Sequence, residues 1–173
     1  EACVLTTTGN RQSHGEGILL IRTPTLMRGY LDDEITTNSV FRGNWFITGD
    51  IARIDDKGII KLIGREVYAV NKAGIKIYPE EIDALVERND EVVEACAFGL
   101  PDPISGDLLG VALVACDRES FCTATLRSWL ARRLAREKLP DRIFVVDKIP
   151  KNQRGKVIRE EIKKMVMEAS VDI

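Results

Sequence analysis

The chain has 173 residues, 25 Lys and Arg against 27 Asp and Glu, and a formal net charge of −2. Apolar residues at 45% and charged residues at 30% are ordinary for a packed domain and exclude a disordered, collagen-like or disulfide-dense chain. The small net charge gives no global reason to expect nucleic acid, and the longest apolar runs, such as Gly110 to Cys116, are far below the ~20 residues that span a bilayer.

That length suits one domain, or a small one with a piece of another. The opening Glu1-Ala2-Cys3 lacks the basic start and apolar stretch of a leader, and is not Met, so a fragment is expected. Cys3, Cys96, Cys116 and Cys122 show no metal-ligand spacing, and no metal site is expected. Cys96 and Cys116 sit in apolar runs and read as small core residues. A reduced, cytoplasmic setting follows. His14 stands alone and reads as an exposed loop residue, so neither a Cys/His nor a Ser/His/Asp catalytic group can be assembled.

Up to about Arg65 the chain holds short β-like runs between turn residues: Gly17 to Arg22, Trp45 to Thr48, Ile51 to Ile54 and Ile59 to Ile63. Asp56-Lys57-Gly58 reads as a tight hairpin turn with Gly where φ is positive. Short strands with frequent turns suggest part of a small barrel or a twisted antiparallel sheet. Further on, Tyr78-Pro79-Glu80-Glu81-Ile82 starts a helix, with Pro in its first turn and acids at its positive end. Ile82, Leu85 and Val86 give its stripe. A strand over Val92 to Phe98 is expected to stop at Gly99 and Pro101, and another to run from Val111 to Cys116. Thr123 or Thr125 caps a helix with the face Leu126, Trp129, Leu130 and Leu134, ended by Pro140. A strand at Arg142 to Val146 precedes a last helix striped by Ile158, Ile162, Met165, Val166 and Ala169. The fold class is α+β. Residues 1–65 form the end of a distorted β-barrel subdomain, and residues 66–173 a small mobile domain with a short sheet flanked by helices. Arginines between Arg127 and Lys138 read as a solvated helix face rather than a nucleic-acid or membrane surface.

Three segments carry chemistry. In Trp45-Phe46-Ile47-Thr48-Gly49-Asp50, an Asp at a strand end can accept two hydrogen bonds from a vicinal diol such as a ribose, and a charge-assisted acceptor is roughly twice as strong as a neutral one. In Gly64 to Asp83, Arg65 can reach back across the sheet end, and Gly74 lies between Lys72 and Lys76 in a loop that permits close backbone approach. In Pro150 to Val157, Gly155-Lys156 offers a compact positive charge to a phosphate or carboxylate on a polar loop. Each segment taken singly also fits an ordinary turn or solvated loop.

Their order and spacing resemble the adenylate-forming superfamily, which includes acyl- and aryl-CoA synthetases, peptide-synthetase adenylation domains and luciferases. Gly15-Glu16-Gly17-Ile18 and Met27-Arg28-Gly29-Tyr30 open the similarity, with Thr36 and Phe41 fitting the segment after them. Trp45 to Asp50 matches W-[FY]-x-T-G-D, and Asp56-x-Gly58 the hairpin that follows. Gly64-Arg65, Gly74, Pro79-Glu80-Glu81-Ile82 and Gly155-Lys156 complete the set. The resemblance implies that Asp50 and Arg65 bind the ribose and phosphate of ATP. It makes Lys156 catalytic in forming acyl-AMP, places Lys72, Ala73 and Gly74 along the pantetheine of coenzyme A, and makes Glu66 and Val67 the hinge. Val67 stands where the family usually has Asp or Lys. ATP with Mg2+, coenzyme A and a fatty or aromatic carboxylic acid are the implied ligands, with a carrier-protein thiol as the rival acceptor. The family's phosphate loop and acid pocket have no counterpart here, so the chain resembles the carboxy-terminal third of a ligase. It is expected to need a missing N-terminal domain and to be inactive alone. A non-catalytic interaction module is the alternative, and open strand edges allow pairing into a homodimer.

Overall fold

A computed structural model describes residues 1–169. The chain divides into two compact units, Glu1–Val67 and Tyr68–Ile173, and the division falls inside a short 3₁₀ turn, Glu66–Tyr68.

The first unit is one antiparallel sheet with a short helix. Its strands are β1 (Ala2–Leu5), β2 (Arg11–Gln12), β3 (Gly15–Ile21), β4 (Phe41–Arg42), β5 (Trp45–Ile54) and β6 (Ile60–Arg65), ordered β2-β1-β3-β5-β4, with β6 also pairing β5. Among the described residues this sheet stays open rather than closing into a barrel. The continuous apolar run of β1 feeds both faces: Cys3 and Leu5 pack with Leu20 and Trp45, and Val4 with Leu19, Ala52 and Ile54. Helix α1 (Glu34–Val40) has no counterpart in the sequence reading. It starts where the Asp33 carboxylate accepts the Thr36 amide at 2.9 Å, a side-chain N-cap.

The two runs Trp45–Thr48 and Ile51–Ile54 are one strand. Its pairing with β3 slips between Ile18 and Leu20, with Ile18 opposite Ile51 but Leu20 opposite Ile47. The extra residues make a bulge, and Gly49 turns through it with φ +73°. A sequence reading breaks the strand at Gly49, whereas the neighbouring ladder carries it through. The Asp55–Ile59 turn is as expected: Gly58 has φ +77°, and its amide bonds Asp55 O at 2.9 Å.

The second unit has β7 (Val70–Lys72), β8 (Ile75–Ile77), β9 (Val92–Asp102), β10 (Gly106–Ala115) and β11 (Arg142–Val145), with helices α2 (Pro79–Val86), α3 (Thr123–Ala131) and α4 (Arg159–Ala169). Sheet order is β11-β10-β7-β8, with β9 also on β10. Among the described residues of this unit, β10–β11 is parallel and the other pairs are antiparallel. Period-2 alternation sorts the core. Ala95, Ala97, Leu109, Val111 and Leu113 face Ile82 and Val86 of α2 and Leu126 and Leu130 of α3. Cys96, Phe98, Leu100 and Ala112 face Ile162 and Val166 of α4. The helices therefore sandwich the sheet.

Several expected boundaries move. β9 runs on through Gly99 and Pro101 to Asp102, because β10 pairs with it along the whole hairpin. β9 pairs with β10 alone, and an edge strand tolerates the missing proline N–H. Neither threonine caps α3. Cys122 is the N-cap with no side-chain bond, and its carbonyl accepts the Leu126 amide. That helix ends at Ala131, well before Pro140. The chain turns at Arg132 so that Leu134 and Leu139 can lie against the core. Cys116 is exposed beyond the end of β10, so it is not a core residue, whereas Cys96 is fully buried. Met165 and Ala169 of α4 face outward, leaving Ile162 and Val166 as its buried pair. His14 is exposed, as expected.

Candidate functional site

The bulge in β5 aims Asp50. Thr48 Oγ1 donates to Leu19 O at 2.9 Å and accepts the Asp50 amide at 3.0 Å, which fixes the residue that follows Gly49. Asp50 lies opposite Arg65 of β6. The Arg65 Nε donates to Asp50 Oδ1 at 2.8 Å. Among the described residues Asp50 Oδ2 accepts no hydrogen bond, so one carboxylate oxygen is held and the other is offered outward. The sequence reading had Arg65 reaching back across the sheet end, and it does so onto Asp50 itself.

The glycine loop is a two-residue hairpin turn joining β7 to β8. Ala73 (φ +49°) and Gly74 (φ +84°) are both left-handed, the geometry of a type I′ turn. The Ala73 amide donates to Ser105 O at 2.8 Å, pinning this turn to the tip of the β9–β10 hairpin. That tip is itself braced by the Asp102 carboxylate, which accepts the Ser105 hydroxyl and amide, each at 2.7 Å. Those two bonds hold its carboxyl below the usual range. Lys72 is not a loop lysine in water. Its ammonium donates to Leu139 O at 3.0 Å and pairs with Asp141 Oδ2 at 2.8 Å, clamping β7 to the segment before β11.

Lys156 sits on a loop drawn tight by Asn152. Asn152 Oδ1 accepts the amides of Arg154 (3.0 Å) and Lys156 (2.9 Å), and the Asn152 amide donates to Lys156 O at 2.8 Å. Gly155 turns the loop at φ +77°. Lys156 is exposed, and its ammonium has no hydrogen bond or ion pair among the described residues. Its charge is available to an incoming anion.

A buried charge cluster escaped the sequence reading. Arg159, the first residue of α4, has a side chain 10% exposed. It pairs with Asp83 Oδ2 at 2.6 Å and Glu80 Oε1 at 3.6 Å, donates to Ala97 O at 2.8 Å, and lies 5.5 Å from the Tyr68 ring centre. Asp83 Oδ1 accepts the Ala97 amide at 2.5 Å. Glu80 Oε2 is buried without a partner among the described residues. The signal was an acid at position 83 beside the apolar Ile82–Val86 stripe of α2, where a solvated residue would not face the sheet.

Burial pushes the Asp83 carboxyl up to about 6, against the pull of Arg159 and the Ala97 amide. Burial also drives the Cys96 thiol up to about 12, leaving it protonated and inert. Asp83 holds its proton more tightly folded than unfolded, so its own contribution to stability is greatest below pH ~4 and declines as pH rises to about 6. We expect Asp83→Asn to remove this component, flattening the difference in melting temperature between pH 4 and pH 6. A thermal melt of both proteins across that range checks it, and parallel profiles would place the titration elsewhere.

Residues 81–156 match the AMP-binding enzyme C-terminal domain. The chain is 30% identical over 169 residues to oxalate–CoA ligase of Arabidopsis thaliana, covering 97% of this chain and 33% of that protein. It is 31% identical over 167 residues to 2-succinylbenzoate–CoA ligase of Geobacillus kaustophilus, covering 96% of this chain and 34% of that protein. ATP-bound MatB of Rhodopseudomonas palustris superposes with a TM-score of 0.87 at 28% identity, over 95% of this chain and 33% of that one. MenE of Bacillus subtilis, solved with an acyl-adenylate, gives 0.86 at 25% identity over 93% of this chain and 33% of that one. Residues 81–156 thus match that domain family, and nearly the whole chain is similar to these CoA ligases. It spans about a third of the length of the curated relatives it matches. No described helix is long and apolar enough to cross a membrane.

Proposed function

We propose that the chain is the carboxy-terminal third of an ATP-dependent acid–thiol ligase. The parent enzyme converts a carboxylic acid and ATP to acyl-AMP and pyrophosphate, then transfers the acyl group to the thiol of coenzyme A. The observation that carries this reading is the Lys156 ammonium, unpaired among the described residues, on its tight glycine loop at the end of the matched family segment.

Each residue then has a part. The outward oxygen of Asp50 accepts the ribose hydroxyls, while its other oxygen keeps Arg65 beside the nucleotide. Lys156 places its charge against the carboxylate and the α-phosphate, where negative charge builds as the mixed anhydride forms. The Ala73-Gly74 turn lets a slender pantetheine pass close to the backbone, and Lys72 holds that turn's strand from beneath. The turn over Glu66 and Val67 is the pivot, and residues 1–65 and 66–173 are the parts it joins. Among the described residues no cluster of three or more His, Cys, Asp or Glu could hold a metal. Mg2+ would enter with the nucleotide phosphates of ATP. The four free cysteines suit a reducing, cytoplasmic setting.

ATP–pyrophosphate exchange by the full-length parent over a panel of fatty and aromatic acids tests the reading. Coenzyme A and a carrier protein are then compared as acceptors. Asp50→Asn keeps the shape of the carboxylate but replaces a charged acceptor with a neutral one, and raises KM for ATP about tenfold. Absence of exchange with every acid, together with failure to bind AMP, would return the chain to a non-catalytic interaction module.

A further inference from the structure

We infer that Arg159 is a positioning residue for Lys156, fixing the lysine loop against the point where the chain enters the second unit; this rests on the ligase reading above. The loop from Lys151 to Lys156 buries no side chain, so packing does not hold it. Its shape comes from the Asn152 bonds, and its placement comes from its two ends.

The entry end is fixed by buried Ile149 and by Lys151, whose ammonium meets Glu94 Oε1 of β9 at 2.5 Å. The exit end reaches Arg159 only three residues after Lys156. The body of α4 is seated by Ile162 and Val166, one and two turns further along. Val157, next after Lys156, packs part-buried against the same cluster, and Arg159 adds a charged anchor at the first residue of α4. Its planar fork spans three parts of the unit at once. It donates to Ala97 O on β9, pairs with Asp83 on α2, and lies over Tyr68, the first residue of the unit and the neighbour of Val67. A single cation therefore ties the catalytic loop, the helix after the glycine turn and the chain entry to one point. When the unit turns about its entry, the lysine loop turns with it as a rigid body instead of lagging on a slack tether.

A lysine cannot replace this fork. Its ammonium is a point charge without the planar geometry that reaches carboxylate and carbonyl together. Arg159→Lys and Arg159→Met in the full-length parent are expected to lower kcat for ATP–pyrophosphate exchange about ten- to hundredfold, the scale of a misplaced catalytic group. KM for ATP and thioester formation from supplied acyl-adenylate are expected to hold within about twofold, since neither needs Lys156 in place. In the present chain, Arg159→Met is expected to speed amide hydrogen exchange at Arg154, Gly155 and Lys156, while β9 and β10 stay protected. Exchange kinetics within about twofold of the parent in either variant would overturn the proposal. A parallel fall of both half-reactions with a lower melting temperature would also overturn it, by showing a role in stability alone. Lys156→Ala is run alongside. If it leaves exchange intact the ligase reading falls, whereas if it abolishes exchange and the Arg159 variants do not, only the positioning role falls.

Discussion

Lys156→Ala in the full-length parent is expected to lower ATP–pyrophosphate exchange about a thousandfold and to leave thioester formation from supplied acyl-adenylate almost unchanged. The size follows from charge. Two unit charges ~4 Å apart at an effective dielectric near 20 interact by about 4 kcal/mol, and each ~1.4 kcal/mol realised only in the transition state is a factor of ten in rate. The ammonium has no ion pair to break among the described residues when substrate arrives. Its removal should not disturb the fold, because the loop is shaped by Asn152 and Gly155 through backbone contacts. A drop of less than about tenfold, in a protein melting like the parent, would mean that the charge on the α-phosphate is met by another group.

Gly17→Ala is expected to be the most damaging small substitution in the first unit. Its φ is not in the left-handed region, so the cost is one of space. A Cβ there would stand 2.3 Å from Leu5 O and 2.8 Å from Leu5 C. Both are backbone atoms of β1, and no side-chain rotation relieves them. The β1–β3 ladder, with Leu5 opposite Ile18, must part. The disturbance reaches the site, because Gly17 also pairs with Ala52 just past the bulge that aims Asp50. A loss of about 3 kcal/mol or more is expected for such overpacking. In a unit of this size that lowers the melting temperature by on the order of 15 °C. Fluorescence of Trp45 in a Trp129→Phe background reports the first unit separately. A melting temperature within about 3 °C of the parent would show that the strands have slack there.

The sequence by itself determined the α+β class, the apolar stripe of α2 with its proline start, the turn at Gly58 and the ordered motifs from Trp45 to Lys156. These are local properties. A proline's fixed φ, a period of 3.6 or of 2, and a glycine where φ must be positive are written in adjacent residues. Boundaries set by a distant partner were not legible in the same way. Gly49 breaks a strand when read locally, but pairing with β3 and β6 carries β5 through it. Gly99 and Pro101 should stop β9, but β10 continues beside them.

The tertiary structure alone decided which charges are free. Lys72 and Lys156 are both lysines beside glycine turns, and nothing in their neighbours along the chain separates them. Folding brings Asp141, 69 residues away, onto the first, and among the described residues brings no partner to the second. The Asp83–Arg159 pair likewise joins residues 76 apart. Burial makes that pair a joint rather than a surface contact, because the energy of a charge depends on how much water surrounds it. The folded shape fixes that quantity, and the order of residues does not display it.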